Sequence, residues 1–408
     1  MYDKLSKLFY KLNTHDYNAE YEKRITGYGS YKTNLTIKGF RKGKVTNEET
    51  ELFYVNTPSL MNLNNEILLN SSKIKSLVHI LPDFVVKPYF HKLIINEAQS
   101  NNEIEGVKST KKELGEALKE LEKSEPKNKK FIGLMKTYLH IEQINPFKKL
   151  EDFRELYDDL VAEEINSDQQ PDGSFFRKEY VEINDGNTTT HIGVIGEEKI
   201  ALELNKLITF LEAKEQPALY KYMVAHYFYE YIHPFYNGNG RTGRLLVGSY
   251  LERYLEKYSA ITFSYAINKN KSVYYKSLEE IPNPTNKGEM TFYLIEMLKL
   301  LATGQAGIID DLEINLLKLE KIKKNIKNNR NLSEEAKNML YIQVAINVFV
   351  DEKMNFKFQD LMQLSTISRY KIEKAMNELQ SSGLVMLKNK NPKSFIVCDS
   401  CIKELISN

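Results

Sequence analysis

Twelve residues, His233-Pro234-Phe235-Tyr236-Asn237-Gly238-Asn239-Gly240-Arg241-Thr242-Gly243-Arg244, constrain this chain more than any other stretch. Three glycines and a proline in twelve positions are incompatible with a continuous helix. Leu219, Met223, Phe228 and Tyr231 recur at helical spacing ahead of the segment, and Leu245, Leu246, Tyr250, Leu251 and Tyr254 resume that period after it. The pattern predicts a tight loop between two buried helices.

A helix starting near Gly240 points unpaired amides and the positive end of its dipole back into the loop. Gly238 and Gly240 remove side chains where the backbone must approach a ligand closely. Such a helix start is a seat for an anion, phosphate above all. Arg241 and Arg244 lie three apart on the first turn, so both guanidinium groups can reach the same anion, which suits a polyphosphate better than a single phosphate. His233 closes the other end with a side chain that accepts a proton near neutral pH. Without that chemistry, the same residues make a glycine-rich connector with a buried histidine and surface arginines.

In this order the residues resemble the signature of the Fic domain family, HPFx(D/E)GNGRxxR, at every fixed position except Asn237. The resemblance implies a mainly α domain that binds ATP with magnesium, or manganese in its place, and transfers AMP to a hydroxyl of a target protein. It implies His233 as general base and Phe235 as the loop's core anchor. Gly238, Asn239 and Gly240 become the phosphate cradle, and Arg241 and Arg244 the phosphate-binding arginines. Asn237 stands where the family has a metal-ligating carboxylate, and a neutral amide is the weaker ligand for a hard cation. The related Doc-type phosphotransferases carry Lys where Gly240 stands, so the resemblance points to AMP rather than phosphate transfer.

A second stretch, Ser100-Asn101-Asn102-Glu103-Ile104-Glu105-Gly106, ends a predicted helix on a carboxylate, where the helix dipole disfavours it. Glu105 therefore calls for a cationic partner. The stretch is similar to the Fic inhibitory motif (S/T)xxxE(G/N), with Asn101 where Ser or Thr is usual. The resemblance gives Glu105 and Gly106 a regulatory role, with Glu105 paired to Arg244 and blocking the γ-phosphate of ATP. A solvated glutamate at a helix end is the alternative.

Other helices are predicted over Ile67 to Leu81, from Pro88 to Ala98, and within Lys111 to Glu164 as scaffold. Between Phe175 and Val194 the period changes to two around Asp185-Gly186, a hairpin signal. The resemblance makes this hairpin a flap that docks the target by strand addition. A flap with no partner is the alternative, and His191 on it reads as a surface histidine. Tyr274-Tyr275 looks like a pair that the family places near the nucleotide, where Tyr275 stacks on adenine or simply packs in the core.

A length of 408 residues predicts two or three units. We expect an N-terminal arm over 1–60 with short strands near 33–37 and 52–55, a Fic-type catalytic domain over 61–305, a helical connector over 306–332, and a small α/β domain over 333–408. The last has the order helix, short helix, helix, hairpin of a winged helix-turn-helix. Its third helix carries Ser368, Arg369, Lys371 and Lys374, so DNA through 359–397 is one partner and a docked protein the other. A net charge of +2 excludes wholesale coating of nucleic acid or membrane. No apolar run reads as long enough to span a bilayer and the N-terminus lacks a signal-peptide core, so the cytoplasm is expected. Cys398 and Cys401 have no second pair and read as two reduced thiols. A homo-oligomer stays open.

Two functional readings follow. In one, the protein is an adenylyltransferase restrained by Glu105, with removal of AMP as a further capacity. In the other, Asn237 leaves a weakly active or inactive nucleotide-binding regulator that sits on DNA.

Overall fold

The helices on either side of the loop are Ala218–Ile232 and Asn239–Tyr254. In the computed structural model, which describes residues 2–121, 130–184 and 188–407, they form the centre of a mainly helical fold with three small sheets among the described residues. Nearly every residue of the second helix from Asn239 to Leu251 is buried. It packs against the first helix and against Leu150–Val161, while Glu197–Glu212 packs on the first. Gly243 permits the close approach of the central pair, because a Cβ there would lie 2.8 Å from the Tyr229 ring and run into the Glu230 carboxyl.

The chain divides into two units, Met1–Ser72 with Leu93–Ala306, and Lys73–Lys92 with Gly307–Asn408. In the first, the N-terminal residues are built into the domain. Ser30–Arg41 and Lys44–Val55 form one long antiparallel hairpin, far longer than the short strands expected from alternation. Its Phe53 backbone bonds to Gly288 and Met290, and Leu5, Tyr17, Ile25 and Phe53 share a buried cluster. Arg24 fixes the arrangement. It is buried and donates to Glu289 Oε2 at 2.9 Å, Glu20 Oε1 at 2.8 Å and the Asp3 carbonyl at 2.8 Å.

Helix Asp83–Ile104 begins before Pro88, not after it, with Pro88 inside the helix. Proline lacks only the amide that would bond to the carbonyl four residues earlier, and a helix packed along its length tolerates that loss. The division between the units at Ala306 and Gly307 falls inside a single 38-residue helix, Thr291–Asn328. By length and composition this helix is apolar enough to cross a bilayer, contrary to the reading from sequence, but 61% of its apolar window is buried inside the protein.

The second unit contains helices Glu334–Val350, Phe358–Leu364 and Arg369–Ser381 and a three-stranded sheet. Lys393–Val397 lies between Phe356–Lys357 and Val385–Lys390 in that sheet. Ile372, Ala375, Met376 and Leu379, at the i, i+3, i+4, i+7 spacing of one helix face, are its buried positions on Arg369–Ser381. Cys401 is buried and its thiol is pushed up to about 11, so it stays protonated and inert.

Replacing Arg24 by Ala strands the Glu289 carboxylate in a buried site, and breaking such a pair costs about 3–5 kcal/mol. Urea unfolding should show that loss in Arg24→Ala, and the joint Arg24→Met, Glu289→Leu variant should recover most of it.

Candidate active site

The loop begins with a strained residue. Helix Ala218–Ile232 ends at His233 in the left-handed conformation, φ 53° and ψ 63°, a position that glycine usually fills. A side chain held there costs about 1–3 kcal/mol and must be pinned by its surroundings. The His233 amide donates to the Tyr229 carbonyl at 3.0 Å. On its other side the His233 carbonyl accepts from Arg177 Nε at 2.8 Å.

Arg177 is fully buried and was not singled out from the sequence. Beyond His233, its guanidinium reaches the carbonyls of Glu179 at 2.5 Å, Val194 at 2.8 Å and Ile232 at 3.4 Å, and its amide donates to the Pro234 carbonyl. Burial pulls the guanidinium down to about 10, still cationic at neutral pH. It ties the loop start to the backbone on both sides of the hairpin Glu182–Asn184 with Thr189–Ile192. The expected turn residues of that hairpin, Asp185 and Gly186, lie outside the described residues. No local period marks Arg177, because its bonds go to main-chain carbonyls, those of Ile232 and His233 more than fifty residues away.

Phe235 is fully buried and stacks on Tyr157 with ring centres 3.8 Å apart. The Asn239 side chain clamps the loop from within, accepting from the Phe235 amide at 2.9 Å and donating to the Phe235 carbonyl at 2.7 Å. Asn239 thus shapes the bend, with both ends of its amide engaged by backbone. Gly238 sits at φ 83°, where only glycine is unstrained, and its carbonyl accepts from the Thr242 hydroxyl and amide.

Arg241 and Arg244, on the first turns of the helix, are buried, and each meets a carboxylate. Arg244 Nη2 donates to Glu105 Oε1 at 2.7 Å. Its Nε donates to Asn101 Oδ1 at 2.6 Å. Asn101 in turn donates to the Tyr138 hydroxyl at 2.7 Å and the Arg241 carbonyl at 3.3 Å, so the amide at this position serves three partners where a hydroxyl would reach fewer. Glu105 lies over the helix start, since a Cβ on Gly240 would overlap its Oε1. The carboxylate thereby lies beside the first turn of the helix at Gly240 while it bonds Arg244. Arg241 Nη1 donates to Glu164 Oε2 at 2.9 Å.

The end of the helix that carries Glu105 is itself fastened. Lys271 Nζ donates to the Glu103 carbonyl at 2.7 Å, Asn268 to the Glu103 carboxylate at 2.7 Å, and Tyr275 through its hydroxyl to the Ile104 carbonyl at 3.1 Å. Tyr275, read from the sequence as stacking on adenine or packing in the core, caps the helix that leads to Glu105. Tyr274 is buried and its hydroxyl lies 2.9 Å from His226 Nε2.

His233 is half-buried, and desolvation first, then the nearby His191 and Arg177, push its imidazole down to about 3. Nδ1 faces the Glu230 carbonyl at 3.4 Å, which favours the Nδ1–H tautomer and leaves Nε2 as the acceptor. His191, read from the sequence as a surface residue, is half-buried. Its Nε2 lies 2.8 Å from the Tyr231 carbonyl and its ring centre 6.3 Å from that of His233, because the hairpin folds over the loop start. Behind the site, Glu230 and His226 approach to 3.9 Å but do not form an ion pair, since burial pushes the acid up to about 8 and the imidazole down to about 3.

A cleft of about 680 Å³ opens beside the loop helix, with Asn237 and Arg241 in its wall beside Glu163, Glu164, Asn166 and Gln169. Gly106 lines a neighbouring cleft of about 440 Å³, and both share Val107, Lys108 and Lys130. The other residues expected at the site, His233, Gly238, Asn239, Gly240, Arg244, Glu105 and Tyr275, form no part of either wall. Asn237 donates to Gln169 Oε1 at 2.9 Å, which leaves its own Oδ1 as an acceptor. These are hard oxygen donors of the kind that magnesium takes alongside waters and phosphate oxygens, so the wall fits a metal-bound polyphosphate.

Residues 146–251 match the model of the Fic/DOC family, a span that holds the loop, Arg177 and Glu164. A Fic family protein from Desulfovibrio desulfuricans G20 shares the fold, with a TM-score of 0.51 at 16% identity over 85% of this chain and 98% of its own. A Fic domain containing signaling protein from Bacteroides thetaiotaomicron VPI-5482 gives 0.41 at 18% over 72% and 99%. Fic-1, residues 134–508, from C. elegans gives 0.43 at 15% over 62% and 74%. No curated protein sequence matches the chain.

Two outcomes are expected from this geometry. Arg177→Ala leaves buried carbonyls around the loop start without donors, at about 1–3 kcal/mol for each group that water cannot reach, and should lower the melting temperature markedly. Acid should weaken the fold through the histidines. His191, pushed down to about 4 by burial, stays neutral in the folded chain while the unfolded chain protonates it below its ordinary 6.5. The unfolded state then binds the extra proton, so stability falls as pH drops from 6.5 towards 4, by up to about 1.4 kcal/mol per pH unit. Melting curves across that range should be shallower in pH for His191→Gln than for the parent, and equal slopes would refute the assignment.

Proposed function

The chain carries a domain of the Fic/DOC family over residues 146–251, and on that premise we propose that it transfers AMP from ATP to a hydroxyl side chain of a target protein. Fic domains transfer AMP or other nucleotide groups to proteins. The observation that carries the finer reading is the Glu105 carboxylate on Arg244, laid over the start of the loop helix at Gly240. A resident anion at that seat marks it as built for anions, and a polyphosphate would replace it.

In the reaction, the target hydroxyl oxygen attacks the α-phosphorus of ATP. The bond from that phosphorus to the bridging oxygen breaks, pyrophosphate leaves, and the hydroxyl proton passes to His233 Nε2. The Nδ1–H tautomer and the left-handed cap orient the ring, and Arg177 holds the cap through the His233 carbonyl. Arg244, once Glu105 has gone, and the amides at Gly240 and Arg241 carry the phosphate charge. Magnesium, when bound, neutralises charge on the phosphates. The hairpin of residues 182–192 leaves an edge onto which an extended target segment adds beside His233.

One observation favours the second reading, a nucleotide-binding regulator on DNA. Arg369, Tyr370, Lys371 and Lys374 on helix Arg369–Ser381 and Lys388 and Lys390 on the adjoining hairpin are exposed together. The face is tempered, however, by ion pairs from Lys371 to Glu335 and from Lys393 to Glu373.

Labelled-ATP transfer separates the two. The enzyme reading expects Glu105→Gly to raise incorporation of label by at least about tenfold, the loss of one charge-assisted competitor for the phosphate, and His233→Ala to abolish it. Nucleotide binding without transfer in Glu105→Gly would leave the regulator.

A further inference from the structure

Glu164 closes the short turn Ala162–Glu164 that follows helix Leu150–Val161. Its bond to Arg241 is deep: the arginine side chain is 2% exposed and the carboxylate 14%. The guanidinium is nonetheless only partly satisfied, because its buried Nε has no acceptor among the described residues. Burial raises the Glu164 carboxyl above its ordinary range against the pull of Arg241, so the pair is a strained compromise between desolvation and attraction. Both residues stand in the wall of the 680 Å³ cleft with Asn237.

Resting on the nucleotide reading above, we propose that Glu164 is a specificity-determining residue, which makes the cleft select a polyphosphate carrying a divalent cation over the bare polyphosphate. A phosphate oxygen that takes Arg241 must replace Glu164, as one that takes Arg244 must replace Glu105. Glu164 is tethered by its turn to a packed helix, so the released carboxylate stays in the cleft wall facing the incoming negative charge. Without a cation the two repel. With one, the freed carboxylate becomes a hard oxygen ligand beside the phosphate oxygens. Asn237 has no charge for that purpose, and its amide nitrogen is already committed to Gln169. The carboxylate that the loop lacks at 237 is thereby supplied from 164, and Arg241 keeps it in store until a phosphate oxygen takes the guanidinium.

The test is ATP binding by isothermal titration calorimetry to the full-length Glu105→Gly protein, alone and with Glu164→Gln or Glu164→Asp, in EDTA and in Mg²⁺. In Glu105→Gly, Mg²⁺ should strengthen ATP binding by about tenfold or more. Adding Glu164→Gln should tighten metal-free binding by about tenfold and shrink the Mg²⁺ advantage below about threefold. Glu164→Asp keeps the charge and should keep the advantage, which separates charge from any packing defect. An Mg²⁺ advantage that Glu164→Gln leaves unchanged, or metal-free binding that it weakens, overturns the role of Glu164 while the nucleotide reading stands. Absence of ATP binding by folded Glu105→Gly protein in both conditions overturns both.

Discussion

A guanidinium taken out of water must find acceptors, and the helix that starts at Asn239 buries two of them within its first two turns. Everything around the loop answers that demand. Arg244 is met by the side chain and carbonyl of Asn101 and by Glu105, Arg241 by Glu164. The acceptors come from separate parts of the chain, so the two arginines also fasten the end of helix Asp83–Ile104 and the turn Ala162–Glu164 onto the loop. A buried ion pair gives little net stability, because desolvation offsets the attraction. What it gives here is a specified position for each carboxylate and a cation ready for exchange.

The backbone of the loop is fixed by different means. Polar side chains stand in for the regular hydrogen bonds that a glycine-rich bend cannot make: Asn239 for Phe235, Thr242 for Gly238, Arg177 for His233. Phe235 against Tyr157 supplies the apolar anchor. The result is a helix start whose backbone is fixed by the chain's own side chains, while its two arginines are engaged by carboxylates.

Much of this was legible in the sequence because it is local. The loop, the two helices beside it and the helix end at Glu105 are each written within a dozen residues, in glycine placement and apolar period. Arg177 and Glu164 were not, since each acts on partners more than fifty residues away, and neither sits in a periodic or motif context that distinguishes it from a surface charge. Tyr275 was visible as a candidate, yet its partner, the Ile104 carbonyl, depends on how two distant helices meet. Local alternation also understated the hairpin Ser30–Arg41 with Lys44–Val55, whose polar outward positions hide a buried face at Leu35 and Ile37.

On the proposed reading, the charge around His233 bears on how it would work as a base. An imidazole held near 3 is neutral and able to accept a proton, but it is a weak base, since proton transfer is most effective when the pKa lies close to the working pH. Burial depresses it first and the Arg177 charge adds to that, and a polyphosphate in the loop would counter the charge, because an anion nearby favours the imidazolium. On the proposed reading, filling the anion seat would therefore strengthen the base as well as position the phosphorus. The same step would require Glu105 and Glu164 to give up their arginines, so basicity and nucleotide occupancy would rise together.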